Sequence, residues 1–344
     1  MGTPKNILVI GYFGYSTNQL DGQTIKTRNI YKLLQDNNNN VDYYDTQSFQ
    51  DSKLSLFSLI YKILHYKNII IIPAGNALKF IFPFLFVISK LFFKNVVLIP
   101  VGGWLSWYIK KKKVLIYMLK NIKAVLPQTA YEVDNLIRLY NMNNVFYFPN
   151  FRLSNFTPSF EHKASGLKLV YFARIHKMKG LDVVFYIANR LIKENPNNNI
   201  LIDFYGQINE PDKEFFLENV TRYNNVSYKG VLEPNEIYDK LSTYDVMLFP
   251  TRYIEEEGFP GSILDGYMSG VPVIASNWRH SKEFVKDGYS GFICDIENLE
   301  SFYEKVILLY NSHDRLFEMK KHAFKESAKY SGKRAYETII HLIK

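Results

Sequence analysis

Residues 6–11, NILVIG, form a short apolar run rich in β-branched side chains. A glycine-containing stretch follows, and then residues 23–35, in which Ile25, Ile30, Leu33 and Leu34 recur near the helical period. That order predicts strand, loop and helix. Further unbroken apolar runs, the mark of strands buried on both faces, lie at residues 68–72, 96–100, 124–127 and 145–148, with helix-like stretches between them. The first half therefore predicts a parallel α/β sheet. Residues 150–166, with Asn155, Pro158 and Gly166, keep no hydrophobic period and predict a linker. The alternation then restarts, with strands at 167–173, 200–205, 226–229, 246–250 and 272–276 and helices at 181–194, 212–223, 234–243 and 262–269. Residues 299–344 are largely helical, broken near Ser331 and Gly332; no 20- to 50-residue repeat is present, and residues 37–40, all Asn, read as a surface turn. The expectation is α/β: two Rossmann-like doubly wound parallel-sheet domains, 1–155 and 165–324, with a last helix over about 325–344 returning to the first. Two such domains facing each other would set the carboxyl ends of both sheets around a central cleft, where open α/β folds bind ligands.

Composition narrows the class. At 47% hydrophobic and 22% charged residues, the chain has ample core material and no signature of disorder. The single cysteine, Cys294, excludes an internal disulfide and a CxxC metal site. No charged, apolar, small-residue leader opens the sequence, so the cytoplasm is the expected compartment.

Charge placement adds more than the net +9. Residues 1–150 hold 17 Lys+Arg against 7 Asp+Glu, whereas residues 151–344 hold 25 against 26. Between Ser52 and Tyr131 there is no acidic residue and there are twelve lysines, among them Lys110 to Lys113. Such a field seeks an anionic partner. Lysines interleaved with Phe, Leu, Ile and Tyr favour an anionic membrane surface; ordinary amphipathic helices with core-facing apolar stripes are the competing reading. Nucleic acid is not expected, since no Cys/His finger, RNP-like strand or arginine-rich arm is present. The apolar run at 80–93 is interrupted by Pro83 and Lys90 and is too short to span a bilayer.

Candidate chemistry concentrates at residues 250–276, PTRYIEEEGFPGSILDGYMSGVPVIAS. A strand ends at Pro250, an acidic loop follows, and Gly258-Phe259-Pro260-Gly261 opens a helix whose freed N–H groups suit a phosphate. Glu257 stands at the lip of that helix, and Asp265, eight residues on, is expected about two turns inside it. Carboxylates beside an anion site make sense as acceptors for sugar or ribose hydroxyls. A solvated acidic loop complementing the helix dipole would read the same. In YFARIHKMKG, residues 171–180, Arg174 follows a strand directly and Lys179 precedes Gly180, so both can serve a diphosphate or stand as surface charges. Gly11, Gly14 and Gly22 would allow phosphate close to the backbone, but they match neither GxGxxG nor a P-loop. His176 and His280 read as local loop histidines.

These segments carry a resemblance. ARIHKMKG, VSYKGVLEPNEIYDKLSTYDVMLFPT, EGFPGSILDGYMSGVPVIAS and EFVKDGYSGFICD, in that order, resemble the nucleotide-sugar half of retaining glycosyltransferases of GT-B type, family 4, across most of residues 167–300. The opening glycine loop and LPQTAYEVDNL resemble the family's acceptor-side domain more weakly. The resemblance implies catalytic roles for Glu257, Arg174 and Lys179, with Glu257 at the transferred sugar and the two cations on the diphosphate. It implies donor contacts for Asp265 at the ribose, for the turn Gly258, Phe259, Pro260, Gly261 and Ser262, and for Gly22, Gly206 and Val231. The second acid is Asp where the family has Glu. PVGGWL, residues 100–105, stands where the family often has His-Gly, so Gly102 or Gly103 would contact sugar or acceptor through backbone.

The expected function is transfer of a sugar, with retention and without a metal or other cofactor, from a nucleoside diphosphate donor of UDP type. The expected acceptor is lipid-linked or glycan, in cell-surface polysaccharide assembly on the inner face of the membrane. A noncatalytic nucleotide-sugar-binding subunit supporting a partner transferase is the alternative; a sugar-nucleotide epimerase lacks the paired cleft histidines and acids.

Overall fold

The computed structural model describes residues 6–15, 21–48, 55–160, 166–194, 199–253 and 258–343. The chain divides into two compact units, one of residues 1–153 with 330–344, the other of residues 154–329.

The first unit is built on five parallel strands: β1 (Asn6–Gly11), β2 (Asn40–Asp45), β3 (Asn68–Ile72), β4 (Asn95–Leu98) and β5 (Ala124–Val125). Their order, β2-β1-β3-β4-β5, reverses direction between β1 and β3. One helical layer comprises α1 (Gly22–Asp36) and the returning C-terminal helix (Gly332–Leu342), whose Ala335 and Ile339 share a core with Ile30, Leu33 and Leu34. The other comprises α2 (Ser55–His65), α3 (Gly75–Leu91), α4 (Leu105–Ile109), α5 (Lys113–Lys120) and α6 (Ala130–Tyr140). β3 buries every side chain and β1 and β4 bury all but their first, the double coverage expected of parallel sheets.

The second unit holds β6 (Leu167–Phe172), β7 (Ile200–Tyr205), β8 (Val226–Tyr228), β9 (Val246–Phe249), β10 (Val273–Ser276) and β11 (Gly291–Cys294). The order is β11-β10-β9-β6-β7-β8, again all parallel. Its helices include α7 (Leu181–Glu194), α8 (Lys213–Arg222), α9 (Ile237–Leu241), α10 (Gly261–Met268), α11 (Ser281–Phe284), α12 (Leu299–Tyr310) and α13 (His313–Ser327). Here the chain starts at β6, builds outward to β8, then crosses to β9 on β6's other side. The switch point is therefore the β6/β9 crevice.

The sequence reading needs four corrections. Residues 145–148 form no strand: Val145 makes one bridge to Val125, because β5 is two residues long and Pro127 has no N–H to extend the ladder. β2 and β11 are strands that the apolar-run criterion missed. β2, NVDYYD, is a half-exposed edge strand, and only pairing with β1 makes it one. Asp265 lies one turn inside its helix, which opens only at Gly261. Finally, the 80–93 run is not broken at Pro83, which α3 accommodates within its length.

Candidate active site

Every candidate donor residue of the second unit that falls within the described residues lies at, or one helical turn beyond, the carboxyl edge of its sheet, after β6, β7, β8 or β9. After β6 the chain runs through Arg174 and a 3-10 turn, Lys177–Lys179, into α7. Gly180 ends that turn at φ +78°, and a Cβ there would stand 1.9 Å from the carbonyl oxygen of Pro250, just past β9. Only glycine lets the β6 loop seat on the β9 loop. The Arg252 N–H donates to Met178 O at 2.9 Å, and the Arg252 guanidinium pairs with Asp182 at the start of α7 at 2.5 Å. Gly206 repeats the device across β7: at φ +147°, its Cβ would lie 1.8 Å from Ala173 O, and its N–H donates to Gly230 O. Val231, directly after, is exposed.

The charges on this edge differ in how they are held. The Arg174 side chain is exposed and makes no hydrogen bond or ion pair among the described residues. Its backbone is fixed by Tyr171, whose hydroxyl donates to Arg174 O at 3.1 Å. The Lys179 ammonium sits 5.6 Å from the Phe249 ring centre and 5.1 Å from that of Tyr253, so aromatic faces hold it over the end of β9. The His176 Nδ1 accepts the Met178 N–H at 3.0 Å and caps the 3-10 turn, and its Nε2 lies 3.9 Å from Asp212. Burial pushes the Asp212 carboxyl up, but bonds from Asn209 and the Lys177 N–H, with nearby His176 and Lys177, outweigh it and hold the group below its ordinary value. His176 thus caps the turn, and His280 is buried.

On the β9 side, α10 opens at Gly261 behind Pro260, an N-cap whose side chain makes no capping bond. Among the described residues the first-turn N–H groups therefore have no side-chain acceptor, and they add to the positive end of the helix dipole. Phe259 anchors the approach, its ring 4.2 Å from that of Phe284. Gly266 brings α10 close to β9, since a Cβ there would meet Met247 at 2.9 Å. Asp265 is buried on the α9 side, 3.5 Å from the donating Tyr238 hydroxyl. Glu257, the proposed sugar-contacting acid, lies outside the described residues.

In the first unit, Gly22 is the first residue of α1, under a capping box formed by Asp21 and Thr24. Gly102, at φ +91°, follows β4; its N–H donates to Gln128 Oε1 at 3.0 Å, and the Trp104 indole N–H holds Val101 O at 2.6 Å. Gly103 follows in the same loop. The sequence reading missed Gln128, which is buried and has an Nε2 donor without a partner among the described residues. It also missed Arg252, Tyr253 and Tyr238. The only signal for the first two was their place directly after a strand.

A family model described as "Glycosyl transferases group 1" matches residues 154–329. A poly(ribitol-phosphate) alpha-N-acetylglucosaminyltransferase of Staphylococcus aureus is 22% identical over 208 residues, covering 59% of this chain and 40% of that protein. The capsular polysaccharide biosynthesis glycosyltransferase CapH of S. aureus is 27% identical over 185 residues, 51% of this chain and 50% of that one. The chain thus spans half or less of the length of these two relatives. Among solved structures, Anabaena Alr3699/HepE in complex with UDP superposes with a TM-score of 0.74 over 98% of both chains at 14% identity. That likeness establishes the fold, two doubly wound parallel-sheet units.

Proposed function

Because the chain belongs to the glycosyl transferases group 1 family, we propose that it moves a sugar from a nucleoside diphosphate donor to a hydroxyl of a lipid-linked or glycan acceptor in cell-surface polysaccharide assembly. One observation carries the reading. Arg174 and Lys179 follow β6 and α10 starts after β9, so all three stand beyond the two strands that flank the switch point of the unit that the family model matches. Planar fork, ammonium and helix N-terminus are three ways to hold the charge that grows on a departing diphosphate. Buried Asp265 suits a ribose hydroxyl, and Glu257 is assigned to the transferred sugar. UDP is the proposed nucleotide, in keeping with the UDP in the HepE complex; surface polysaccharide follows the named activities of the relatives.

In the proposed retaining step, the bond between sugar C1 and the diphosphate oxygen breaks as the acceptor oxygen bonds to C1 on the same face. The acceptor proton passes to the departing phosphate oxygen, so no protein nucleophile is consumed. Arg174 and Lys179 balance the diphosphate charge, and the reading needs no metal. Release of free nucleoside diphosphate from a panel of UDP-, GDP-, ADP- and dTDP-sugars, in EDTA, tests this. Release from one donor, lost in Glu257→Gln and Arg174→Ala, is expected. Donor binding without release or transfer over a broad acceptor panel would favour a noncatalytic subunit.

The acceptor side is proposed to work at an anionic membrane surface. Helices α2, α3 and α5 bury one apolar face on the first sheet and still expose Phe57, Tyr61, Phe80, Val87, Leu91 and Tyr117 outward, interleaved with lysines. No helix among the described residues is long and apolar enough to cross a bilayer, so the contact would be peripheral.

A further inference from the structure

Among the described residues, three positions other than glycine have a positive φ. Two of them, Asn38 and Asn141, are the residue type that tolerates the left-handed region. The third is Phe93, at φ +52°, where a β-carbon crowds the following carbonyl oxygen. It stands at the end of α3. The Phe92 N–H donates to Ile88 O at 3.0 Å and the Lys94 N–H to Ser89 O at 2.9 Å, the bonding of a helix stop whose left-handed residue is usually glycine. Phe93 is 87% exposed, so its ring contributes almost no packing to offset that strain. Leu91 and Phe92 beside it are exposed as well. A strained residue whose side chain does nothing for the fold points to a role outside it.

α3 ends just before β4, at the amino edge of the first sheet, and its end is tied to those of both neighbouring helices. The Lys94 ammonium donates to Leu64 O, in the last turn of α2, at 2.5 Å, and the Lys90 ammonium donates to Asn121 O, just past α5. The loops that enter β3 and β5 run alongside: Lys67 O accepts the Asn95 N–H, and the Lys123 N–H donates to Val96 O, each at 2.9 Å. The helix ends and loops at this edge therefore carry Lys67, Lys90, Lys94, Lys120 and Lys123, all exposed but half-buried Lys94. Leu64 and Tyr117 are outward there too. No acidic residue occurs between Ser52 and Tyr131 to answer these charges.

We propose that residues 91–93 form a wedge that enters an anionic lipid bilayer, with Phe93 at its point and the lysines at the level of the lipid phosphates. Leucine and phenylalanine gain from transfer into hydrocarbon, and a projecting turn suits a fluid surface that closes around it. Lysine stems pass along apolar surface and leave their ammonium groups among anionic headgroups. A second copy of the chain would bring the same positive field to the contact and is disfavoured. The inference deepens the membrane reading and rests on it: the exposed residues of α2, α3 and α5 supply a face, and the strained turn supplies its point of entry.

The test places a nitrobenzoxadiazole label at Phe93→Cys and, as a control, at Leu201→Cys, an exposed position of the second unit; native Cys294 is buried and stays unlabelled. The whole protein is mixed with vesicles of phosphatidylglycerol and phosphatidylcholine, or of phosphatidylcholine alone. On the anionic vesicles the label at position 93 should shift to the blue and be quenched by acyl-chain spin labels, and the control should do neither. Phe93→Gly should raise the urea midpoint, since glycine relieves the turn. The same change should weaken partitioning about ten- to hundredfold, the loss of one phenyl ring from hydrocarbon. A ring that served the fold would instead lower the midpoint, and that result overturns the proposal. Protein that pellets with anionic vesicles while its label at 93 stays in water, or a Phe93→Gly change that leaves partitioning intact, overturns the wedge and leaves the membrane reading standing. Absence of pelleting removes both. Self-association of the lipid-free protein that Phe93→Gly abolishes would put a second copy on the tip and overturn the proposal.

Discussion

Three side chains show how burial, rather than residue type, sets chemistry in this protein. Arg174 is exposed and pairs with nothing among the described residues, so its guanidinium is available to a ligand. Arg174→Ala should lower donor turnover by about 10²–10³-fold, the usual loss when a transition-state charge donor goes, with Arg174→Lys falling between; steady-state release of nucleoside diphosphate reads both. Lys26 is the opposite case. It is wholly buried on α1, its ammonium 3.5 Å from Phe148 O and 4.9 Å from the Phe148 ring centre, and burial, then Arg152, pushes its pKa well below 10.5. The unfolded chain therefore holds this proton more tightly, so the contribution of Lys26 to stability rises as pH climbs from the folded value toward 10.5. Lys26→Met should raise the urea midpoint at pH 7 and gain less as pH approaches 10. At Cys294, burial drives the thiol up to about 11. Iodoacetamide at pH 8 should leave native protein nearly unlabelled and modify it fully in guanidinium.

At the scale of elements, the candidate site depends on how closely strand ends approach. The β6 loop rests on the β9 loop at Gly180, and the β7 end rests on the β6 end at Gly206. Gly180→Ala or Gly206→Ala must displace backbone as well as adopt a left-handed φ, so each should cost at least about 1–3 kcal/mol in urea unfolding and weaken UDP binding. Gly22→Ala is the contrast: it is helical and its Cβ would meet nothing within 4 Å. That change should be neutral or stabilising by up to about 1 kcal/mol. The position of α10, between Pro260 and Gly270, was legible in the sequence, but the Gly180 contact was not. Gly180 and Pro250 are seventy positions apart, and a glycine required by a distant carbonyl looks the same in sequence as one required by a local turn.

At the scale of the molecule, charge and exposed apolar surface coincide. The acid-free stretch from Ser52 to Tyr131 contributes α2 through α5, whose outward residues include Phe57, Tyr61, Phe80 and Trp107. Vesicles containing anionic lipid should pellet the protein and neutral ones should not, and added salt should release it. Changing Lys110, Lys111, Lys112 and Lys113 to Ala should weaken partitioning by orders of magnitude, at about 1 kcal/mol per lysine. Pelleting that ignores lipid charge and salt would reject the membrane reading.

Strands buried on both faces must be apolar throughout and helices with one buried face must be periodic, so β1, β3, β6, β9 and most of the long helices announced themselves in the sequence. The ordered segments after β6 and β9 likewise carried the family resemblance, because diphosphate chemistry needs particular residues at particular spacings along one stretch of chain. Edge strands escape that logic. Half of β2 faces solvent, so its residues take their strand geometry from hydrogen bonds to β1, a partner some thirty residues away. A cavity of about 420 Å³ at the carboxyl end of β2 escapes it further, since its lining residues Tyr15, Gln47 and Lys62 come from three separate segments. Sequence records the local constraints a residue obeys. Burial without a partner, as at Gln128, and contact across the sheet, as at Gly180, exist only once distant segments are brought together, and the tertiary structure alone decides them.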